Sequence, residues 1–341
     1  MADSRDGDDS TGPDPSPSVE RPGESESMGE DLRCAAVVGG GTAGRGIARS
    51  LASAGVDVLL LERDEASLEA SLRSLRDGMD RDIRRWTLTE GERDAALARI
   101  QGSASFPDLS GVQVLIETIT EDLKEKRRLL GDLDEKAPPE CAFLLNTSTL
   151  SVTELAESIS KARRPRVIGL HFLHPVPRIG LVELIRGRET GVEGEAAARQ
   201  VAQRLEKEVV EVAEYPGYVT SRLTLVLINE AIHTVMEGVA TKDAVDRAMK
   251  LRLGSPLGPL ALADQIGLDS VFRALDSLST ELGLPQFRPA ALLRRMVSLG
   301  WLGEKSGRGF YRYDETGGRI SGGEDFLEPT PDRFLERRGR E

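Results

Sequence analysis

The sequence has little of several residue types that mark specialised classes of protein. Only two of its 341 residues are cysteine and only 4% are aromatic. Cys34 and Cys141 both lie in apolar runs, which favours buried thiols in a reducing compartment over a disulfide or a metal centre. No apolar run approaches the length that spans a membrane, and the N-terminus lacks the apolar segment of a signal peptide. We therefore expect a soluble, cytoplasmic protein with no metal site and no membrane contact.

The negative charge is concentrated at the N-terminus. Residues 1–31 contain ten acidic residues and two arginines, so they contribute −8 of the total net charge of −12. This segment has almost nothing to bury, and we predict a disordered acidic tail. The remaining charge of −4 leaves no basic footprint for nucleic acid. Residues 315–341 are again polar and charged, which predicts a second, flexible tail.

Between the tails, apolar strands alternate with helical patterns up to about residue 212. Such alternation predicts an α/β fold with a doubly wound, Rossmann-type parallel sheet. Tyr215-Pro216-Gly217 interrupts the pattern, and the periods beyond it are helical. We predict a Rossmann domain at 32–214 and an all-α C-terminal domain at 215–314. The predicted strands cover 34–38, 56–61, 112–116, 142–145, 167–170, 181–185 and 208–212.

A glycine-rich turn lies directly between the first strand and the first helix. Gly39 permits the tight turn, Gly41 lets the backbone approach a pyrophosphate, and Gly44 lets helix and strand pack closely. Thr42 and Ala43 belong to this turn as candidate cofactor-binding residues, and the helix that follows offers its free N–H groups to an anion. The order of strand, glycines and helix predicts a dinucleotide site.

Glu62 ends the second strand, where an acid can accept the hydroxyls of the adenosine ribose. A carboxylate there also repels a 2′-phosphate, so we expect NAD as the cofactor. Arg63 follows at once and is able to pair with a 2′-phosphate, which leaves NADP open.

Two of the three histidines fall in one stretch at the end of a predicted strand. His171 is followed twelve residues later by Glu183, and the pair suits a general base with an orienting carboxylate. Glu183 lies within an apolar run, where a charge usually needs a partner. The alternative is that His171 and His174 only hydrogen-bond the backbone of a turn.

Several segments resemble the L-3-hydroxyacyl-CoA dehydrogenase family, which includes bacterial 3-hydroxybutyryl-CoA dehydrogenases. The resemblance covers about residues 33–314. Besides the glycine-rich turn, it rests on several separate motifs that occur in the same order as in the family. It implies NAD-dependent interconversion of a 3-hydroxyacyl and a 3-oxoacyl thioester, and a homodimer formed through the helical domain. The motifs are Glu117–Lys126, Asn146–Leu150, Gly169–Pro175 with Leu181–Glu183, Pro216–Leu223, Gly258–Asp269 and Gly303–Tyr311.

The resemblance also assigns roles to individual residues. His171 would take the alcohol proton while Glu183 holds the imidazole, and Ser148 would touch both substrate and cofactor. Residues matching Glu121, Lys126 and Lys305 contact the cofactor in the family. The residues alone leave other interpretations open. Glu121 and Lys126 could be a solvent-exposed pair on one helix, Lys305 could be a surface lysine in a loop, and Ser148 could belong to a turn that simply follows a strand.

Two residues depart from the family pattern near the reacting centre. Ser221 stands where the family has an asparagine that helps to position the substrate, and serine offers a shorter reach and one hydroxyl donor. His174 stands where the family has an asparagine beside the nicotinamide. A second imidazole there either adds a titratable group or only fills the space.

A third departure concerns the acyl carrier. The family usually has lysines after the second strand that meet the phosphates of coenzyme A, whereas residues 76–80 here include acids and glycine. Arginines keep the neighbourhood basic, so the carrier is either coenzyme A or the phosphopantetheine of an acidic acyl-carrier protein, as in polyketide extender-unit synthesis. Two further alternatives are a dehydrogenase of a free hydroxy acid, like L-gulonate 3-dehydrogenase, and a weakened NAD-binding sensor. The arginines are Arg73, Arg76, Arg81, Arg84 and Arg85.

Overall fold

The computed structural model describes residues 31–105, 109–314 and 317–320. Except for Asp31, the predicted acidic tail lies outside the described residues, as does most of the predicted C-terminal tail. Within the described ranges, no helix is long and apolar enough to cross a bilayer.

The first part of the chain forms one eight-stranded sheet in the order β3-β2-β1-β4-β5-β6-β7-β8. All neighbouring strands pair in parallel except β6 and β7, which are antiparallel. β4, β5 and β6 are buried along their whole length, because helices cover both faces of such a sheet. The predicted Rossmann-type sheet is confirmed. The strands are β1 (Cys34–Val38), β2 (Asp57–Leu61), β3 (Ile100–Ser103), β4 (Val114–Glu117), β5 (Ala142–Leu145), β6 (Val167–Phe172), β7 (Leu181–Ile185) and β8 (Glu208–Val212).

Side-chain caps determine where most of the flanking helices begin. Asp64, Asp122 and Ser151 each accept a backbone N–H of the first turn that follows. Thr89 forms a capping box with Glu92, which starts a new helix. The sequence predicts a break near residues 87–91 in the long helical stretch of about 65–99, and the new helix begins there. The helices of this part are α1 (Thr42–Ser53), α2 (Glu65–Arg84), α3 (Glu90–Ala98), α4 (Leu123–Asp134), α5 (Val152–Ala156) and α6 (Val192–Arg204), with a 3₁₀ turn at Arg164–Arg166.

The structure differs from the sequence-based prediction in two elements. β3 was not predicted, because Ile100 is its only strongly apolar residue and it lies at the sheet edge. Gly102 leaves room there for Leu68 of α2, whose Cδ1 would lie 2.7 Å from an added Cβ. The apolar spacing after residue 152 predicts one helix to about residue 161, whereas the observed helix ends at Ala156.

In the described residues, the second part of the chain is a helical domain, as predicted, followed by a C-terminal segment with isolated β-bridges. Its apolar core contains Ile228, Leu260 and Leu275, all of them fully buried. Asp264 accepts the N–H groups of Phe310 and Tyr311, and so ties the C-terminal segment to this core. The elements are α7 (Thr220–Met236), α8 (Lys242–Leu253), α9 (Pro259–Ile266), α10 (Leu268–Leu282) and α11 (Ala291–Ser298), with 3₁₀ turns at Pro285–Phe287 and Glu304–Ser306.

Candidate active site

The glycine-rich turn has the geometry of an anion cradle at the start of α1. Gly39 has a φ of +98°, a conformation that favours glycine. A Cβ on Gly44 would lie 1.8 Å from the carbonyl oxygen of Gly39, so no side chain fits there. A Cβ on Gly41 would meet nothing within 4 Å. The backbone at Gly41 therefore borders open space, where a pyrophosphate could approach.

Glu62 is held at the edge of this turn. Its Oε1 accepts the Gly40 N–H at 2.8 Å and the Ser71 hydroxyl at 2.9 Å. The Arg63 side chain is exposed and turns towards Asp64. A cleft of about 590 Å³ opens beside Glu62, and its lining includes the glycine-rich turn. It lies at the carboxyl ends of β1, β2 and β4, where dinucleotides bind in sheets of this kind.

Three side chains form a hydrogen-bonded chain at the same edge of the sheet. His171 on β6 lies directly opposite Glu183 on β7 in the antiparallel register. The imidazole Nδ1 is 2.7 Å from Glu183 Oε2, and Nε2 is 3.0 Å from Ser148 Oγ. With the proton assigned to Nδ1, which donates to the carboxylate, Nε2 accepts the serine hydroxyl. This tautomer leaves Nε2 available as a base.

Glu183 is fully buried but well supplied with donors. Its Oε1 accepts the N–H groups of Val219 at 3.1 Å and Thr220 at 2.8 Å, and its Oε2 also accepts the Thr220 hydroxyl at 2.7 Å. Burial by itself would raise the pKa of Glu183, but the hydrogen bonds from His171 and Thr220 outweigh it and lower the pKa below its ordinary value. The carboxylate therefore stays charged beside the imidazole.

Glu121 holds the loop that carries Ser148. Its Oε1 accepts the Thr147 hydroxyl at 2.6 Å and the N–H groups of Ser148 and Thr149 at 2.8 and 2.9 Å. These bonds fix the loop after β5 against the start of α4. The structure thus gives Glu121 a positioning role, while its contact with the cofactor stays a prediction.

Lys126 lies beneath this loop and is completely buried. Its amine is 2.7 Å from Glu117 Oε2, 3.1 Å from the Asn146 carbonyl oxygen and 3.4 Å from Glu121 Oε2. Burial opposes the charge, but the two carboxylates outweigh it and raise the pKa of Lys126. All three N–H donors face protein oxygens, so a direct contact with the cofactor, which stays a prediction, would require one of these contacts to open.

His174, Ser221 and Lys305 are not joined to the Ser148–His171–Glu183 chain by any contact recorded among the described residues. Burial lowers the pKa of His174, and the charges of Arg45 and Arg178 lower it further. Ser221 lies half-buried on the first turn of α7. Lys305 is half-exposed and forms an ion pair with Asp269 at the start of α10. Their predicted contacts with substrate or cofactor stay predictions.

Sequence reasoning missed two residues that touch this site. Thr220 bonds Glu183 through both its N–H and its hydroxyl. The Tyr218 ring lies against His171 with 5.6 Å between ring centroids, and its hydroxyl donates to the Leu150 carbonyl at 3.3 Å. Both residues lie in the Pro216–Leu223 motif, where the sequence pointed to a domain boundary and to Ser221 but gave no role to Tyr218 or Thr220.

The fold and the site together define a class of enzyme. A dinucleotide cleft and a buried His–Glu pair that faces a serine lie at one edge of a Rossmann-type sheet, which is the arrangement expected of a nicotinamide-dependent dehydrogenase. Two family models match this chain. The 3-hydroxyacyl-CoA dehydrogenase NAD binding domain matches residues 34–215, and the C-terminal domain of the same family matches residues 217–313.

The chain belongs to the 3-hydroxyacyl-CoA dehydrogenase family, whose members are NAD-dependent oxidoreductases, and the predicted family and cofactor are thus confirmed. It is 41% identical over 279 residues to a probable 3-hydroxybutyryl-CoA dehydrogenase of Bacillus subtilis, covering 82% of this chain and 96% of that protein. Two solved structures are similar over 84% of this chain and 100% of theirs. They are M. tuberculosis FadB2, with a TM-score of 0.78 and 36% identity, and the (S)-3-hydroxybutyryl-CoA dehydrogenase of Ralstonia eutropha, with a TM-score of 0.72 and 40% identity.

Proposed function

We propose that this protein interconverts a 3-hydroxyacyl thioester and the corresponding 3-oxoacyl thioester, with NAD as the hydride partner. The observation that carries the proposal is the Ser148–His171–Glu183 chain, with distances of 3.0 and 2.7 Å. The printed names of the relatives suggest 3-hydroxybutyryl-CoA as the first substrate to test.

The chemistry assigned to this chain is the movement of one proton. When substrate binds, the Ser148 hydroxyl turns from His171 Nε2 and donates its hydrogen bond to the reacting oxygen. His171 Nε2 is then free to take the proton of the substrate hydroxyl. Glu183 stabilises the imidazolium that forms and keeps the ring in one orientation. In the reducing direction, the same imidazolium returns the proton to the developing alkoxide.

The residues at the glycine-rich turn fit the cofactor. Gly39, Gly41 and the first N–H groups of α1 would hold the pyrophosphate, and Glu62 the adenosine ribose. When bound, NAD accepts the hydride from the substrate carbon.

A substrate panel with a histidine variant tests this proposal. We expect 3-hydroxyacyl thioesters to produce NADH, and free hydroxy acids to produce little. His171→Ala should lower kcat by about 10²- to 10⁴-fold, the usual contribution of a general base, while NAD still binds. His233→Ala is the matched control, because His233 lies in the last turn of α7, at the opposite end of the helix from Thr220. Full activity of His171→Ala would refute the mechanism, and turnover of free hydroxy acids alone would refute the substrate class.

The charges on α2 and its neighbours favour an anionic acyl carrier. They do not distinguish coenzyme A from an acyl-carrier protein. Asp80 pairs with Arg93, and Asp82 pairs with Arg49, so these acids are already neutralised inside the domain. Three guanidinium groups lie near Glu304. Burial raises the pKa of this carboxyl above its ordinary value, and the charges of the three arginines oppose the shift without cancelling it. The arginines are Arg81, Arg85 and Arg178.

Turnover of one hydroxyacyl group on coenzyme A and on an acyl-carrier protein separates the two carriers. If the carrier protein is the natural partner, we expect the higher kcat/KM with it. A strong preference for coenzyme A would exclude that alternative.

We also propose a homodimer formed through the helical domain, as in the family. In the described residues, large apolar side chains are exposed in this domain, among them Leu223 at 67% and Leu251 at 77%. Such exposure is typical of an interface where the side chains cluster. Sedimentation should give twice the mass of one chain, and Leu251→Glu should lower it. A monomeric wild-type protein would refute the proposal.

A further inference from the structure

The first residues of the helical domain reach back into the Rossmann domain at the candidate active site. Tyr218 is buried at 5% exposure and has a φ of +44°. A bulky residue rarely adopts this conformation, which persists only where the surrounding contacts enforce it. The contacts of the segment Tyr218–Thr220 therefore hold its backbone in this conformation. The same contacts indicate the function of the segment.

On one side, this segment orients Glu183. Its two backbone N–H groups, from Val219 and Thr220, occupy Oε1, while the Thr220 hydroxyl shares Oε2 with His171 Nδ1. With a donor on each oxygen, the carboxylate cannot rotate without losing a bond to a charged acceptor. Thr220 alone supplies two of these bonds.

On the other side, the same segment braces the serine loop and the imidazole. The Tyr218 hydroxyl bonds the carbonyl of Leu150, two residues beyond Ser148, at 3.3 Å. Its ring lies against the His171 ring at an angle of 55°. One short segment therefore contacts the Ser148 loop, His171 and Glu183 together.

We propose that Tyr218 and Thr220 are positioning residues that hold the proton-transfer chain in its working geometry. The inference rests on the proposed role of His171 as the base. Neither side chain needs to touch the substrate, because Thr220 acts through Glu183, and Tyr218 acts through the Ser148 loop and the imidazole. The helical domain thereby contributes to proton transfer.

Removal of the Thr220 hydroxyl tests the first contact. Thr220→Val keeps the shape and both backbone N–H bonds, and we expect kcat to fall about tenfold because a hydrogen bond to a charged group is lost. KM for the thioester and the Kd for NAD should stay unchanged, and Thr220→Ser should recover most of kcat. Thr234→Val is the matched control, since the Thr234 hydroxyl donates to the Glu230 carbonyl of its own helix.

Tyr218→Phe tests the second contact by removing only the hydroxyl. The lost bond joins neutral groups, so we expect a smaller fall in kcat, about threefold. Tyr215→Phe serves as its control, because the Tyr215 ring is exposed and faces Arg222. A kcat within twofold of wild type for both Thr220→Val and Tyr218→Phe would overturn the inference.

A spectroscopic readout separates this inference from the proposed function. The proton between His171 Nδ1 and Glu183 should give a low-field NMR resonance that is absent in His171→Ala. We expect Thr220→Val to shift or broaden this resonance, and Thr234→Val to leave it unchanged. If the wild-type protein turns over no thioester while the shift still occurs, the proposed function fails and the positioning role stands. An unchanged resonance in Thr220→Val overturns the positioning role whatever the activity.

Discussion

Glu183→Gln is the change to which the candidate site should respond most sharply. The carboxylate accepts all of its hydrogen bonds, from His171 and from the N–H groups and hydroxyl of the α7 start. An amide has one oxygen and one NH₂ group. Among the described residues, the backbone N–H groups of Val219 and Thr220 bond only Glu183. The amide oxygen must therefore face these N–H groups, so the NH₂ group faces His171.

This arrangement forces the imidazole into the wrong tautomer. An NH₂ group opposite Nδ1 requires Nδ1 to accept, so the ring proton moves to Nε2, which then cannot take a proton from the substrate. Replacement of the buried aspartate by asparagine in the Ser-His-Asp triad lowers kcat about 10⁴-fold for the same reason. We expect a loss of about 10³- to 10⁴-fold here, which corresponds to about 4 to 5.5 kcal/mol in the activation barrier.

The assay is NADH formation from a 3-hydroxyacyl thioester, together with a titration of NAD binding. We expect kcat to fall while the Kd for NAD stays within about twofold of wild type, since Glu183 lies away from the glycine-rich turn. Glu208→Gln, on the exposed start of β8, removes the same charge without touching the site. If Glu183→Gln retained more than about a tenth of the wild-type kcat, the assignment of the tautomer and of the base would be wrong.

Three further predictions concern the cofactor site, the buried Lys126–Glu117 pair and the buried carboxyl of Asp264. Glu62→Ala should weaken NAD binding about tenfold and NADP binding less, as measured by fluorescence titration; equal losses would contradict the role of Glu62. Lys126→Met leaves Glu117 buried without its cation and should lower the free energy of unfolding by about 3–5 kcal/mol, whereas adding Glu117→Gln should recover part of it. Burial raises the pKa of Asp264 to about 7, so its contribution to stability is complete below its ordinary pKa of about 4 and is lost as the pH rises through 7. Between about pH 5 and 8, the free energy of unfolding of the wild-type protein should therefore fall by about 2–3 kcal/mol more than that of Asp264→Asn. Parallel pH profiles of the two proteins would refute the raised pKa.

The parts of the fold that could be predicted from the sequence are those with a strong local signal. The apolar runs of β1 and β5 predict buried strands, and the glycine-rich turn can be identified from its residue types and their spacing. β3 escaped prediction because an edge strand buries little and needs no apolar run. Its place in the sheet is determined by pairing with β2 and by the contact between Gly102 and Leu68, neither of which local sequence encodes.

The same distinction applies inside the candidate site. His171 and Glu183 belong to neighbouring strands joined by a short connection, so their opposition in the antiparallel register follows from a separation of only twelve residues. The N–H groups that donate to the Glu183 carboxylate belong to Val219 and Thr220. These residues lie 36 and 37 positions further along the chain, in the next domain. No local pattern connects a threonine after a glycine to a strand acid so far away. For this reason the sequence alone suggests the proposed base and its carboxylate, whereas the residues that hold the carboxylate come from the start of the next domain and have no local signal.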